Sequence, residues 1–215
     1  MKKLTRIIAE GAEMITTTRP FLLALLLMQA VADRALLPLV AFTTPESAQN
    51  WQAVNDGVMG GISDGKFTIT EAKTLEFFGT LSLENNGGFA SVRTKPTDLG
   101  IEAGDTIVVR VKGDGREYVL NLYTKSRRMA FSYRAPVPTK KDEWTEVSVP
   151  LADFIPTAFG RRVQGMGPVV PDQINGLGFM LSDKKAGPFK LAVEWVRRIP
   201  RSISEDAPPG PVRAD

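Results

Sequence analysis

From Leu39 to Trp195, apolar and polar positions alternate in short runs, and glycine, proline, asparagine or aspartate closes each run. A period of two over several residues marks a strand with one buried face. Residues Thr106–Lys112 put Ile107, Val109 and Val111 on one side and Arg110 and Lys112 on the other. Beyond Gly113-Asp114-Gly115, Tyr118, Leu120 and Leu122 stand opposite Asn121 in the same way. Together the two runs predict a hairpin with one polar side. A second hairpin is predicted where Thr74–Leu83 and Gly88–Thr94 flank Glu84-Asn85-Asn86-Gly87-Gly88. Phe67 and Ile69 alternate with polar neighbours, and Phe189, Leu191, Val193 and Trp195 share a face that places Trp195 in the core. Leu39–Phe42 reads as an apolar strand. Thr44 and Pro45 then offer a cap and first position for a single helical turn. No long amphipathic helix interrupts this pattern. About ten short strands with regular turns predict an all-β sandwich or barrel.

This β pattern fills one domain, residues 37–200. Before it, segment 1–32 ends in the apolar stretch Phe21–Ala32, about a dozen residues where a bilayer span needs about twenty. Arg19 precedes the stretch, and Ala30-Val31-Ala32 resembles a small-residue cleavage site before Asp33. The layout is that of a secretory signal, more regular still if translation starts at Met14. The leading expectation is export, or membrane anchoring through this helical segment. Mitochondrial or cytoplasmic residence is the alternative, and Glu10 and Glu13 fit poorly with a transit peptide. The tail, 201–215, is proline-rich and polar and is predicted to be disordered.

Composition narrows the chemistry. The chain has no cysteine and no histidine. Thiolate catalysis, disulfides and cysteine metal sites are therefore impossible, and the commonest general base is missing. That points away from an enzyme, and no cofactor or metal is expected. The formal charge of +3 is spread along the chain, with its densest groups at Lys125–Arg128 and Arg197-Arg198. A nucleic-acid binder concentrates such charge in a stripe, so no nucleic-acid partner is expected. Glycine loops with phosphate-binding spacing are absent. Among the carboxylates Glu84, Asp114, Glu117, Asp153 and Asp183, nothing in the spacing singles out a catalytic pair. If a sugar were bound, Tyr133 beside Arg134 is the best candidate for an exposed stacking platform.

Two glycine-rich motifs carry more than a β pattern. Trp51–Ser63 reads W-x-x-V-N-D-G-V-M-G-G-x-S, and Phe77 to Arg93 contains F-x-G-x-L-S-L-E-N-N-G-G-F-A-S-V-R. With Val109–Tyr118, Trp144–Phe154 and Ile174–Leu191, they resemble the complex I intermediate-associated protein 30 family over Leu39 to Ile199. The resemblance implies a galactose-binding-like jelly roll, two antiparallel sheets face to face. It implies a binding scaffold whose mitochondrial members are chaperones in complex I assembly, while plant relatives act in chloroplast gene expression. The expectation is a non-catalytic interaction and assembly module with a protein partner. An exported carbohydrate-binding module is the alternative.

In such a fold, the candidate binding or structural residues are Trp51, Asn55, Asp56, Gly57, Met59, Gly60 and Gly61, joined by Asn85, Asn86, Gly88 and Arg93. Glycine tolerates tight turns here, and Asn55 or Asp56 can bond back to the loop backbone. Val58 and Met59 are expected to cap the core. Alternatively, the first loop forms a ligand or partner surface with Glu84–Gly88. Asp56 and Arg93 could meet as a charged brace, or could face a ligand together.

Overall fold

The computed structural model describes residues 38–125 and 130–201. The leader and nearly all of the proposed tail lie outside the described residues. Strands β1 (Pro38–Val40), β2 (Trp51–Ala53), β3 (Asp64–Ile69), β4 (Leu75–Leu81) and β5 (Ala90–Thr94) come first. They are followed by β6 (Thr106–Lys112), β7 (Glu117–Thr124), β8 (Phe131–Pro138) and β9 (Trp144–Pro150). The last are β10 (Ile155–Ala158), β11 (Arg161–Arg162), β12 (Ile174–Leu181) and β13 (Gly187–Ile199). One sheet runs β3-β4-β13-β6-β9, with β1 also on β13; the other runs β11-β10-β8-β7-β12-β5-β2. The strand pairs are antiparallel, and the architecture is the expected jelly-roll sandwich.

The inward faces follow the period of two. Ile107, Val109 and Val111 of the first sheet and Tyr118, Leu120 and Leu122 of the second are fully buried. Phe77 meets Phe189 at 4.8 Å between ring centroids, and Phe42 packs on Trp51 at 5.7 Å. Pro45–Asn50 forms the anticipated short turn, in which the Thr44 amide donates to the Ser47 hydroxyl at 3.4 Å.

The pairing differs from the sequence reading in both predicted hairpins. β6 belongs to the first sheet and β7 to the second; β4 and β5 are divided in the same way. Gly113–Gly115 and Glu84–Gly88 are therefore corners that carry the chain from one sheet to the other. Alternation cannot distinguish the two, because arms on opposing sheets also turn their apolar sides toward one core.

Trp195 also departs from expectation. The β13–β6 register shifts between Val193 and Trp195, so Val196 takes the next inward position. Trp195 turns outward, where the Arg197 guanidinium sits 4.1 Å from its ring centroid. A bulge inserts one residue and reverses every face beyond it.

Candidate functional site

Asp56 is fully buried. Its Oδ1 accepts the Ser63 amide at 2.9 Å. Its Oδ2 accepts the Ser63 hydroxyl at 2.6 Å, the Gly88 amide at 2.7 Å and the Phe89 amide at 3.2 Å. Burial pushes the carboxyl upward, but these donors outweigh it and hold the pKa below the ordinary aspartate value. One carboxylate thus ties the loop after β2 to the corner between β4 and β5. The backbone crowds it: a Cβ on Gly61 would lie 2.4 Å from the Asp56 Cγ. Gly60 has φ +92°, which favours glycine. Asn55 Nδ2 donates to the Gly65 carbonyl at 3.0 Å, while its buried Oδ1 has no partner among the described residues.

This construction presents the loop at the rim of a cleft of about 1020 Å³ on the outer side of the second sheet. The floor comes from outward positions of β5, β7, β8 and β12: Ser91, Arg93, Tyr123, Ser132, Arg134 and Met180. Arg93 lies over the Tyr123 ring, 5.3 Å from its centroid, and its buried Nε has no hydrogen-bond partner among the described residues. Arg134 Nε donates to the Ser132 hydroxyl at 3.1 Å. Burial pushes the Arg134 guanidinium down and the Tyr123 phenol up; the two arginines pull the phenol back. Neither shift changes ionisation near neutral pH, so the floor carries two positive charges. Around it stand Val58, Met59, Leu83 and Phe159, all exposed, with Val58 at 73% and Phe159 at 61%. Exposed apolar side chains gathered at one concavity mark a contact surface more than scattered ones do.

Three expectations are corrected here. Val58 and Met59 do not cap the core, because their turn runs outside the Asp56 network. Asp56 and Arg93 form no ion pair: both carboxylate oxygens face loop donors, while Arg93 turns to Tyr123. Tyr133 is no exposed platform; its ring is buried, and its hydroxyl donates to the Gly167 and Pro168 carbonyls at 3.2 and 3.3 Å. Trp51 is a core residue, while Asn85 and Asn86 hold φ of 53° and 58° at the corner. Met59, Asn86, Gly88 and Arg93 line the cleft, whereas Gly57 and Asn85 do not. Asn121, expected on a polar face, is buried on the floor side and accepts the Ser132 hydroxyl at 3.0 Å.

The singled-out carboxylates also include structural ones. Asp183 forms a two-point pair with Arg116, at 2.7 and 3.0 Å. Asp114 accepts the Tyr118 hydroxyl at 3.1 Å and the Lys190 amide at 2.9 Å. Sequence reasoning did not single out Phe159 and mentioned Arg134 only as a neighbour. Phe159-Gly160, at a position where a hairpin usually takes Asn-Gly, was the available signal.

Residues 40–193 match the profile of the complex I intermediate-associated protein 30 family. The mitochondrial protein of that name from Mus musculus is 26% identical over 176 residues, covering 72% of this chain and 53% of the mouse protein. Its Neurospora crassa counterpart is 28% identical over 193 residues, covering 71% of this chain and 69% of the fungal protein. The chain thus spans about half the length of the mouse relative. Among solved structures, a family 11 carbohydrate-binding module from Clostridium thermocellum, in complex with a β-1,3-1,4-mixed-linked tetrasaccharide, superposes with a TM-score of 0.51. It is 16% identical and covers 70% of this chain and 88% of that one, a likeness of fold.

Proposed function

The chain belongs to the complex I intermediate-associated protein 30 family, and we propose on that premise that its domain is a non-catalytic interaction module in complex I assembly. The observation that carries the reading is the apolar rim. Val58 and Met59 sit on the family's signature loop, exposed beside the cleft, while Asp56 fixes the backbone beneath them. A rigid loop that presents apolar side chains lowers the ordering cost of binding a protein. Asp114 and Asp183 serve hydrogen bonds and ion pairing that hold the fold, which supports a role without catalysis.

The carbohydrate reading finds less support. Tyr133 is in the core, and Arg93 covers one face of the Tyr123 ring. The names of the mouse and Neurospora relatives favour the mitochondrial alternative over export.

The test is a gene deletion in the source organism followed by native-gel analysis of complex I. We expect partly assembled complex I to accumulate and the tagged chain to migrate with it. Complementation by the Val58→Ser/Met59→Ser double variant should fail. Normal complex I in the deletion strain, with no co-migration, would overturn the proposal.

A further inference from the structure

The two outer faces of the sandwich differ in how they handle charge. On the first sheet, cations alternate with acids: Arg110 pairs with Glu146 at 3.4 Å and with Glu194, and Lys190 pairs with Glu76 at 3.0 Å. The cleft outside the second sheet is lined by Arg93, Arg134 and Lys184, and among the described residues that line it there is no aspartate or glutamate. None of these three cations has a carboxylate within ion-pair distance among the described residues. Arg93 also keeps a buried Nε without an acceptor among the described residues. A guanidinium offers a planar fork of donors that matches a carboxylate. Two of them on one floor, without an acid of their own, form an incomplete ion-pair site.

The rim adds an independent observation. Ala158 pairs with Arg161, so Phe159-Gly160 is a two-residue hairpin loop, with φ of 48° and 75°. Positive φ at both positions is type I′ geometry, which favours Asn-Gly and strains a bulky side chain. Phenylalanine there adds nothing to the core, since it is 61% exposed, yet it borders the cleft. Strain of this kind persists where a side chain serves a contact.

We propose that the cleft holds an acidic peptide segment of the partner protein, its carboxylates on Arg93 and Arg134 and an apolar side chain against Phe159. This rests on the interaction-module reading above and names the chemistry of the partner. The volume of about 1020 Å³ is at the upper end of small-molecule pockets, which run to about 1,000 Å³, and suits a stretch of chain. The mostly aliphatic rim of Val58, Met59 and Leu83 favours peptide side chains over sugar rings, which stack best on aromatic faces.

The experiment is selection of a random-peptide phage library on the full chain, followed by fluorescence anisotropy with the selected peptides. Enrichment of Asp and Glu next to an aliphatic or aromatic residue is expected. Arg93→Gln and Arg134→Gln should each weaken binding roughly tenfold. Phe159→Asn should weaken it about fivefold while melting no lower than the parent, because asparagine accepts the left-handed turn. Peptides without acidic enrichment, undiminished binding by the arginine variants, or tighter binding of polygalacturonate than of any peptide would each overturn the proposal. So would binding that emerges only after residues 202–215 are removed, since the chain's own tail would then be the occupant. Failure of complex I co-migration leaves these binding results unaffected, so the two readings fail separately.

Discussion

Replacing Asp56 with asparagine changes one atom in a fully buried side chain and should cost a large part of the domain's stability. The carboxylate accepts four hydrogen bonds, one on Oδ1 and three on Oδ2. An asparagine can place its carbonyl where Oδ2 was, but its amide then meets the Ser63 N–H donor to donor. The reverse orientation sets it against two amides and is worse. The better arrangement loses one charge-assisted bond and leaves a buried donor unmet, while the other three bonds fall to neutral strength. Charged hydrogen bonds are worth roughly 1.5–3 kcal/mol and neutral ones about half, so the sum is about 4–7 kcal/mol. For a domain of this size, each 1 kcal/mol shifts Tm by about 2–4 °C, giving an expected drop of at least about 8 °C at pH 7. Thermal melting followed by circular dichroism reads it directly. The folded-state pKa of Asp56 lies below its unfolded value, so the charge contributes fully above about pH 5. That contribution disappears as pH falls through the folded value, so the gap between parent and variant should narrow in acid below the unfolded value. A variant melting within about 2 °C of the parent at pH 7, or a gap unchanged by acid, would refute the role assigned to this carboxylate.

Two further predictions concern the same scaffold. Gly61→Ala should destabilise by more than about 2 kcal/mol through its clash with Asp56, whereas Gly57→Ala, with open space around it, should change stability by less than about 0.5 kcal/mol. Equal urea midpoints for the two would contradict the crowding. Asp183→Asn should cost about 2–4 kcal/mol, because it removes the charge facing Arg116 where both side chains are nearly buried. Burial raises the Asp183 carboxyl, but Arg116 and the Lys185 amide bring it below its usual value. This contribution is therefore complete above the unfolded value and disappears as pH falls below about 4, a loss that denaturant midpoints across pH would record.

The sequence carried the inward face of most strands and little of what those strands pair with. Ile107, Val109 and Val111 were legible because a period of two assigns a face wherever the partner lies. The corners at Glu84–Gly88 and Gly113–Gly115 were not, since glycine and asparagine suit a corner as well as a hairpin. Trp195 was misplaced by a bulge that leaves no mark in residue type. Asp56 was legible as a residue that bonds to loop backbone. Its reach to Gly88, 32 positions away, was not, because only the sandwich brings those amides together. The cleft was hidden for the same reason. Arg93 and Arg134 come from strands that are not sheet neighbours, and only the intact sheet places both beside Tyr123.

The strand order also constrains how a ribosome can deliver this protein. β13, the last of the described strands, lies between β4 and β6, and β12, the one before it, lies between β5 and β7. Neither sheet can close while the chain is still emerging. Every earlier strand must wait, with bare edges at β4, β5, β6 and β7, until residues beyond Ile174 are free of the exit tunnel. Unpaired edges of this kind recruit other chains. Fragments that end before β12 should thus collect in aggregates, whereas a chain that includes β12 and β13 should fold in one late, slow and cooperative event.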